Sequence, residues 1–295
     1  MFLIRRIFRG ATIALLPALI APALLGAPAA EGAPKLKLLW SETFKGKAGA
    51  APNPKFWNSE FGDGSAQNIP GWGNNERQFY KADQAKLIGG TGGLSITTKR
   101  PAEADQPLCY YGSCDWISAR ITTSKKVSFQ YGLIEARIKM PSGGGTWPAF
   151  WLLGTSLNNK VAWPACGEID IVEAQGNNPV NVIGSIHGPN YAGGAAKTFT
   201  TFTDAELSED YHTYGILWAP NKISWLLDGK TYYTQKKSDV APDAWPFNAP
   251  FFMILNLAMG GNLGGDIDPM LDEGTMNVQW IKYSSVNGQG KVTYK

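Results

Sequence analysis

The sequence predicts an all-β fold, a β-jelly-roll sandwich of two antiparallel sheets with one concave face open to a ligand. Three observations lead there. Short runs of β-branched and aromatic residues recur along the chain, bounded by Gly, Pro, Asn and Asp. Only Asp204 to Asp210 reads as helical, and it is one or two turns long. The chain has 11 Trp, 11 Tyr and 13 Phe, more than one core consumes, so some aromatic faces are expected on the surface.

At the N-terminus, Arg5, Arg6 and Arg9 precede an uncharged apolar run from Ala11 to Leu25, and Ala27-Pro28-Ala29 follows as a small-residue cleavage site. Residues 1–29 therefore read as a secretory signal. A membrane anchor is the alternative, but the run is shorter than the roughly 20 residues a span needs, and Pro17 and Pro22 interrupt it. Arg5-Arg6 also partly fits a twin-arginine signal. The signal removes three of the 27 basic residues and none of the 24 acidic ones. The mature chain is then balanced in charge, which removes the electrostatic case for nucleic acid. No other segment is apolar for long enough to hold a membrane. Residues 30–295 carry no linker, repeat or charge block and read as one domain acting as a monomer.

Along that domain, Leu36 to Phe44, Gly93 to Lys99 and Ile117 to Thr123 are strand candidates. Tyr131 to Met140 alternates cleanly: Ile134, Ala136, Ile138 and Met140 on one face, Leu133, Glu135, Arg137 and Lys139 on the other. Ile223 to Leu227 and Lys230 to Gln235 flank Asp228-Gly229, a two-residue hairpin signal. Phe251 to Leu257 and Met276 to Tyr283 complete the set. Cys109 and Cys114 are spaced for a small disulfide loop, as an exported protein allows, which leaves Cys166 as a buried thiol. Three Cys and two His do not make a zinc site.

The chemistry is concentrated in Gly167-Glu168-Ile169-Asp170-Ile171-Val172-Glu173. A regular strand would put Glu168 and Asp170 on one face and drive Glu173 into the core, where an unpaired carboxylate is costly. One extra residue near Val172, a β-bulge, returns Glu173 to the face of the other two acids. Crowded carboxylates have their pKa values pushed apart. That suits glycosidic-bond cleavage with one ionised nucleophile and one protonated acid, roughly 5–5.5 Å apart in retaining enzymes. Glu168 is then the nucleophile, Glu173 the acid/base, and Asp170 the group that tunes Glu168. A solvent-facing acidic strand and a three-carboxylate metal site are the alternatives. Ile169, Ile171 and Val172 argue against the first, and the nearby Trp147, Trp151 and Trp163 favour a sugar cleft.

At these residues the chain resembles glycoside hydrolase family 16, in its laminarinase-type endo-1,3-β-glucanase branch. Glu168, Asp170 and Glu173 meet the pattern Glu-x-Asp-x-x-Glu. Gly71-Trp72-Gly73-Asn74-Asn75-Glu76, Ser118-Ala119-Arg120, Trp147-Pro148-Ala149-Phe150-Trp151, Tyr211-His212-Thr213-Tyr214 and Asn256-Leu257-Ala258 follow the family's order. The resemblance implies a retaining mechanism on a β-glucan polysaccharide in an open groove. It also implies that Trp72, Asn75, Arg120, Trp147, Trp151 and His187 contact sugar or brace the carboxylates. Trp72, in a Gly-rich loop, is expected to stack at the rim. His212 reads as structural and Glu76 as a loop brace.

Two departures stand out. Where relatives carry acidic calcium ligands, this chain has Thr43 and Gln279, so no metal or other cofactor is expected. Leu263 stands where many relatives have Trp. Mixed-linkage glucan, agar and carrageenan are substrates of the same fold. A transglycosylase and a non-catalytic β-glucan-binding protein are further alternatives. The retained Glu168 and Glu173 count against the binding protein.

Overall fold

The structure is a computed structural model and describes residues 33–295. The expected signal, residues 1–29, lies outside the described residues. Alternating or doubly buried apolar runs form two large sheets that face each other across a single main core. One sheet has ten strands. Its main path runs Lys230–Lys236, Lys222–Leu227, His212–Ala219, Gly132–Lys139, Glu273–Val286, Leu94–Lys99, Trp116–Ser118 and Gln78–Tyr80. Leu36–Glu42 adds to Glu273–Val286 and Ala85–Leu87 to Leu94–Lys99. All its pairings are antiparallel except Gln78–Tyr80 beside Trp116–Ser118, which is parallel.

The second sheet has nine strands and carries the acidic segment. Its path runs Lys197–Phe202, Asn178–His187, Glu168–Gln175, Thr146–Gly154, Phe251–Met259, Val127–Gln130 and Lys291–Tyr294. Arg120–Thr122 also pairs with Phe251–Met259, and Asn58–Ser59 with Arg120–Thr122. The Gly132–Lys139 strand buries Ile134, Ala136 and Ile138 completely, as its alternation requires. The 222–236 hairpin closes through Asp228 and Gly229, both at positive φ (48° and 76°), so Leu227 faces Lys230.

One strand expected from sequence is differently built. The run from Ile117 to Thr123 breaks at Ala119: Trp116–Ser118 belongs to the ten-stranded sheet and Arg120–Thr122 to the other. The chain crosses between layers there, and the alternation of Ile117, Ala119 and Ile121 with Ser118, Arg120 and Thr122 runs through the crossing unbroken, which hides it from a periodicity reading. A second crossing separates Val127–Gln130 from Gly132–Lys139. It turns on Tyr131 (φ 60°) and Gly132 (φ 86°), where a Cβ would sit 2.4 Å from the Ser284 carbonyl oxygen.

Asp204 to Asp210 is not a helix but a turn. Its single core residue, Leu207, donates its N–H to the Pro179 carbonyl and accepts from Met140 N–H, so its backbone is spent on neighbouring segments. Among the described residues the one α-helical segment, Gly261–Gly264, spans four residues of the Gly-rich loop. Cys109 and Cys114 are bonded, with their Cα atoms 5.2 Å apart, and Cys166 is a free, buried thiol pushed up to about 11 by burial and by Glu168.

Candidate active site

The acidic segment forms the strand Glu168–Gln175 between Asn178–His187 and Thr146–Gly154. Phe150 pairs with Val172 but the next residue, Trp151, pairs with Asp170, so Ile171 has no partner in the register. This is the expected bulge. Ile171 and Val172, adjacent in sequence, are both buried in the main core. The side-chain alternation slips by one, and Glu173 returns to the face of Glu168 and Asp170.

On that face the three carboxylates have unequal partners. Glu168 Oε2 accepts the Trp163 indole N–H at 2.7 Å, and its Oε1 lies 3.6 Å from His187 Nε2. Asp170 Oδ2 lies 3.0 Å from the same nitrogen. His187 Nδ1 accepts the Gly193 N–H at 3.1 Å, so the neutral ring carries its proton on Nε2 and presents it to Asp170 and Glu168. Glu173 Oε1 accepts the Trp147 indole N–H at 3.0 Å. Burial, and then the Asp170 charge, push Glu168 up to about 8. The same two causes push Glu173 up to about 8. Burial pushes Asp170 up to about 8, opposed by its hydrogen bond with Glu168. The cluster therefore carries fewer than three negative charges at neutral pH.

The remaining site residues lie on either side of this strand. Trp147 and Trp151 share a face of Thr146–Gly154, as their spacing requires, but they serve different partners. Trp147 is only 8% exposed and is committed to Glu173. Trp151 is partly open and donates its indole N–H to Asn256 Oδ1 at 2.7 Å. Arg120 lies between two rings, its guanidinium 4.4 Å from the Trp72 centroid and 4.9 Å from that of Trp151, with Nε 2.6 Å from Glu60 Oε2. Asn75 is exposed and donates to Asn262 Oδ1 at 2.8 Å, tying two Gly-rich loops together.

Trp72 differs from the expected rim platform. Gly71, Trp72 and Gly73 all have positive φ, and this tight turn folds the indole inward until 8% remains exposed. Its N–H bonds the Gly62 carbonyl and its ring backs Arg120 and Tyr80. His212, as expected, is structural: its Nδ1 lies 2.7 Å from Asp228 Oδ2 at the hairpin turn, in the other sheet.

Three carboxylates on one bulged strand, a histidine on the next and the indoles of Trp147, Trp151 and Trp163 around them make up the site. The chain matches the family described as glycosyl hydrolases family 16 over residues 74–282. It belongs to that family. It is 34% identical over 286 residues to a β-glucanase of Rhodothermus marinus, covering 92% of this chain and 93% of that protein. Among solved structures, it superposes on the catalytic domain of an endo-1,3-β-glucanase (laminarinase) of Thermotoga petrophila with a TM-score of 0.79 and 37% identity, over 86% of this chain and 99% of that one. The endo-β-1,3-glucanase of Pyrococcus furiosus gives a TM-score of 0.79 and 36% identity, over 85% and 95%. This family 16 chain is accordingly a glycoside hydrolase acting on polysaccharide, with the β-jelly-roll fold of its family.

Several residues of this family 16 site have hydrogen-bond partners that the sequence did not indicate. Trp163 is the clearest: 45% exposed, it hydrogen-bonds Glu168 and lies 5.9 Å from the His187 ring. It is five residues from Glu168, and nothing local marks it as a donor. Leu153, Cys166, Phe252 and Ile254 form a satellite apolar cluster with Trp151 and Leu157 packed on it, anchoring the loop that carries Trp163. Gln78, Tyr80 and Asn74 donate to Glu76, which braces the loop through Asn74 but is itself buried, and Asn256 donates in turn to the Tyr80 hydroxyl.

At the family's calcium position the residues do not fit a hard cation. The Glu42 carboxylate already accepts the Phe44 N–H and the Trp57 indole N–H, and the Thr43 carbonyl accepts the Gly93 N–H. Glu168, Asp170 and His187 bring three ligand-type atoms within 4.8 Å of one another. The His187 Nε2 proton lies between the two acids there.

Proposed function

We propose that the chain is a secreted, retaining endo-β-glycosidase that hydrolyses β-1,3-glucan. The observation that carries the mechanism is the bulged strand, which presents Glu168, Asp170 and Glu173 on one face with unequal hydrogen-bond partners. Glu168 accepts the Trp163 indole N–H and has the His187 ring beside it, both of which favour its ionised form. It attacks the anomeric carbon. Glu173, held by one indole N–H and kept protonated by burial and neighbouring charge, passes its proton to the departing glycosidic oxygen. A glycosyl ester on Glu168 results. In the second step ionised Glu173 takes a proton from water, the water oxygen bonds the anomeric carbon, and the Glu168 ester bond breaks. Asp170, bonded to Glu168 and backed by His187, balances charge on the nucleophile as it is consumed and regenerated. Asn75, Arg120, Trp147 and Trp151, with Trp72 behind Arg120, form the sugar-binding wall.

The β-1,3 linkage rests on the endo-1,3-β-glucanases among the relatives and on the extra strand residue. Export rests on the charged, apolar and small-residue pattern of residues 1–29. The test is product analysis on laminarin, lichenan and agarose with the enzyme freed of residues 1–29, following the anomeric proton of the new reducing end by NMR. Laminarin cut to short oligosaccharides with β-configuration released first is the expected result. Release of the α-anomer first would overturn the double displacement, and cleavage of agarose alone would overturn the substrate.

A further inference from the structure

The catalytic reading makes no use of Glu76, although it is one of the few carboxylates buried in the protein, at 4% exposure. Burial pushes its pKa upward, and the nearby Arg120 and three hydrogen bonds oppose the shift. Gln78 Nε2 donates to its Oε2 at 2.6 Å, the Tyr80 hydroxyl donates to the same oxygen at 3.1 Å, and Asn74 Nδ2 donates to Oε1 at 3.2 Å. Gln78 is held in turn, since its Oε1 accepts the Met259 N–H at 2.7 Å.

The bonds continue in one direction only. A carboxylate accepts and does not donate, so the Tyr80 proton must point at Glu76. The Tyr80 oxygen is then free to accept, and Asn256 Nδ2 donates to it at 3.1 Å. That choice turns the Asn256 carbonyl the other way, where Oδ1 accepts the Trp151 indole N–H at 2.7 Å. Tyr80 and Asn256 are both buried, at 0% and 6%, so no water competes for these positions. Trp151 lies in register with Asp170 on the next strand, and its ring is one of the two that hold the Arg120 guanidinium.

We infer that Glu76 is a positioning residue: through the one-way chain Trp151 to Asn256 to Tyr80 to Glu76, it orients the Trp151–Arg120 platform on which glucan lies. This rests on the proposed sugar-binding role of that wall, and it deepens it. Glu76 touches no sugar. It acts by fixing which way the Asn256 amide faces, and so whether Trp151 finds an acceptor or a second donor.

The test uses Glu76→Gln, Tyr80→Phe and the double variant, assayed on whichever β-glucan the wild-type enzyme cleaves. If the wild type cleaves no β-glucan, the functional reading fails at that point. Trp151 fluorescence, read against Trp151→Phe as blank, then still tests the chain. Each single variant should raise KM by about tenfold while kcat stays within about threefold, the loss of one buried hydrogen bond. The double variant should be no worse than the poorer single, since both cut the same chain. Tyr80→Phe removes only a hydroxyl and serves if Glu76→Gln fails to fold. Unchanged KM in Tyr80→Phe, additive losses in the double variant, losses confined to kcat, or an unaltered Trp151 signal would each overturn the inference.

Discussion

Glu168 and Glu173 are chemically identical, and their proposed difference in role comes from their neighbours. Glu168 is ringed by the Trp163 N–H, His187 and Asp170, whereas Glu173 has the Trp147 N–H. Replacing Glu168 by Gln should cut turnover about a thousandfold or more on every substrate, since no nucleophile remains. Glu173→Gln should cost about 10²–10⁴-fold on glucan, and far less on an aryl glycoside whose leaving group needs no proton. Equal losses of the two variants on both substrates would reverse or void the assignment. Trp163→Phe keeps the ring and removes the donor that favours ionised Glu168. Its pH–rate profile should therefore lose activity at the acid end, the acid limb moving to higher pH, with kcat at the optimum down about tenfold. An unmoved acid limb would show that this indole serves only as a sugar platform.

At the scale of the element, the strand Glu168–Gln175 concentrates three carboxylates whose folded pKa values are all raised to about 8, from ordinary values of 4.5 or 3.8. A raised carboxylate pKa means that the folded state holds protons the unfolded chain has released. The contribution of these three groups to stability is then full at acid pH and falls as pH rises from about 4 towards 8. Glu168→Gln and Glu173→Gln should accordingly raise Tm relative to wild type at pH 9, with the gain shrinking at pH 5. A Tm difference equal at both pH values would show that these groups are not raised by burial. The bulge that assembles them was legible in sequence because two apolar residues, Ile171 and Val172, stand together between acids. A regular strand would have had to bury a charge. The crossing at Ala119 was not legible, because apolar Ile117, Ala119 and Ile121 alternate with polar Ser118, Arg120 and Thr122 straight through it.

For the whole molecule, the site depends on segments far apart in the chain meeting on one sheet. The loop bearing Trp72 and Asn75 reaches Asn262, and Glu76 reaches Asn256 through Tyr80. The calcium position distant from this sheet lacks the donors to fill it, so a chelator should leave Tm unchanged within about one degree. A drop of several degrees on chelation, restored by calcium, would show a bound ion at other ligands.

Local chemistry determined much of this in advance. Strand periodicity, the Asp228-Gly229 turn, the paired Cys109 and Cys114, and the three acids with their bulge all follow from residues near one another. Their rules act over a few bonds. The tertiary structure alone decided that Trp72 turns inward, that Trp163 donates to Glu168, that Glu76 is buried, and that Asp204 to Asp210 is a turn. In each case the deciding partner is distant or unpatterned: Tyr80 and Arg120 for Trp72, Pro179 for Leu207, Asn256 for the chain behind Glu76. A buried polar group must find a partner, and only the packed chain specifies which one is within reach.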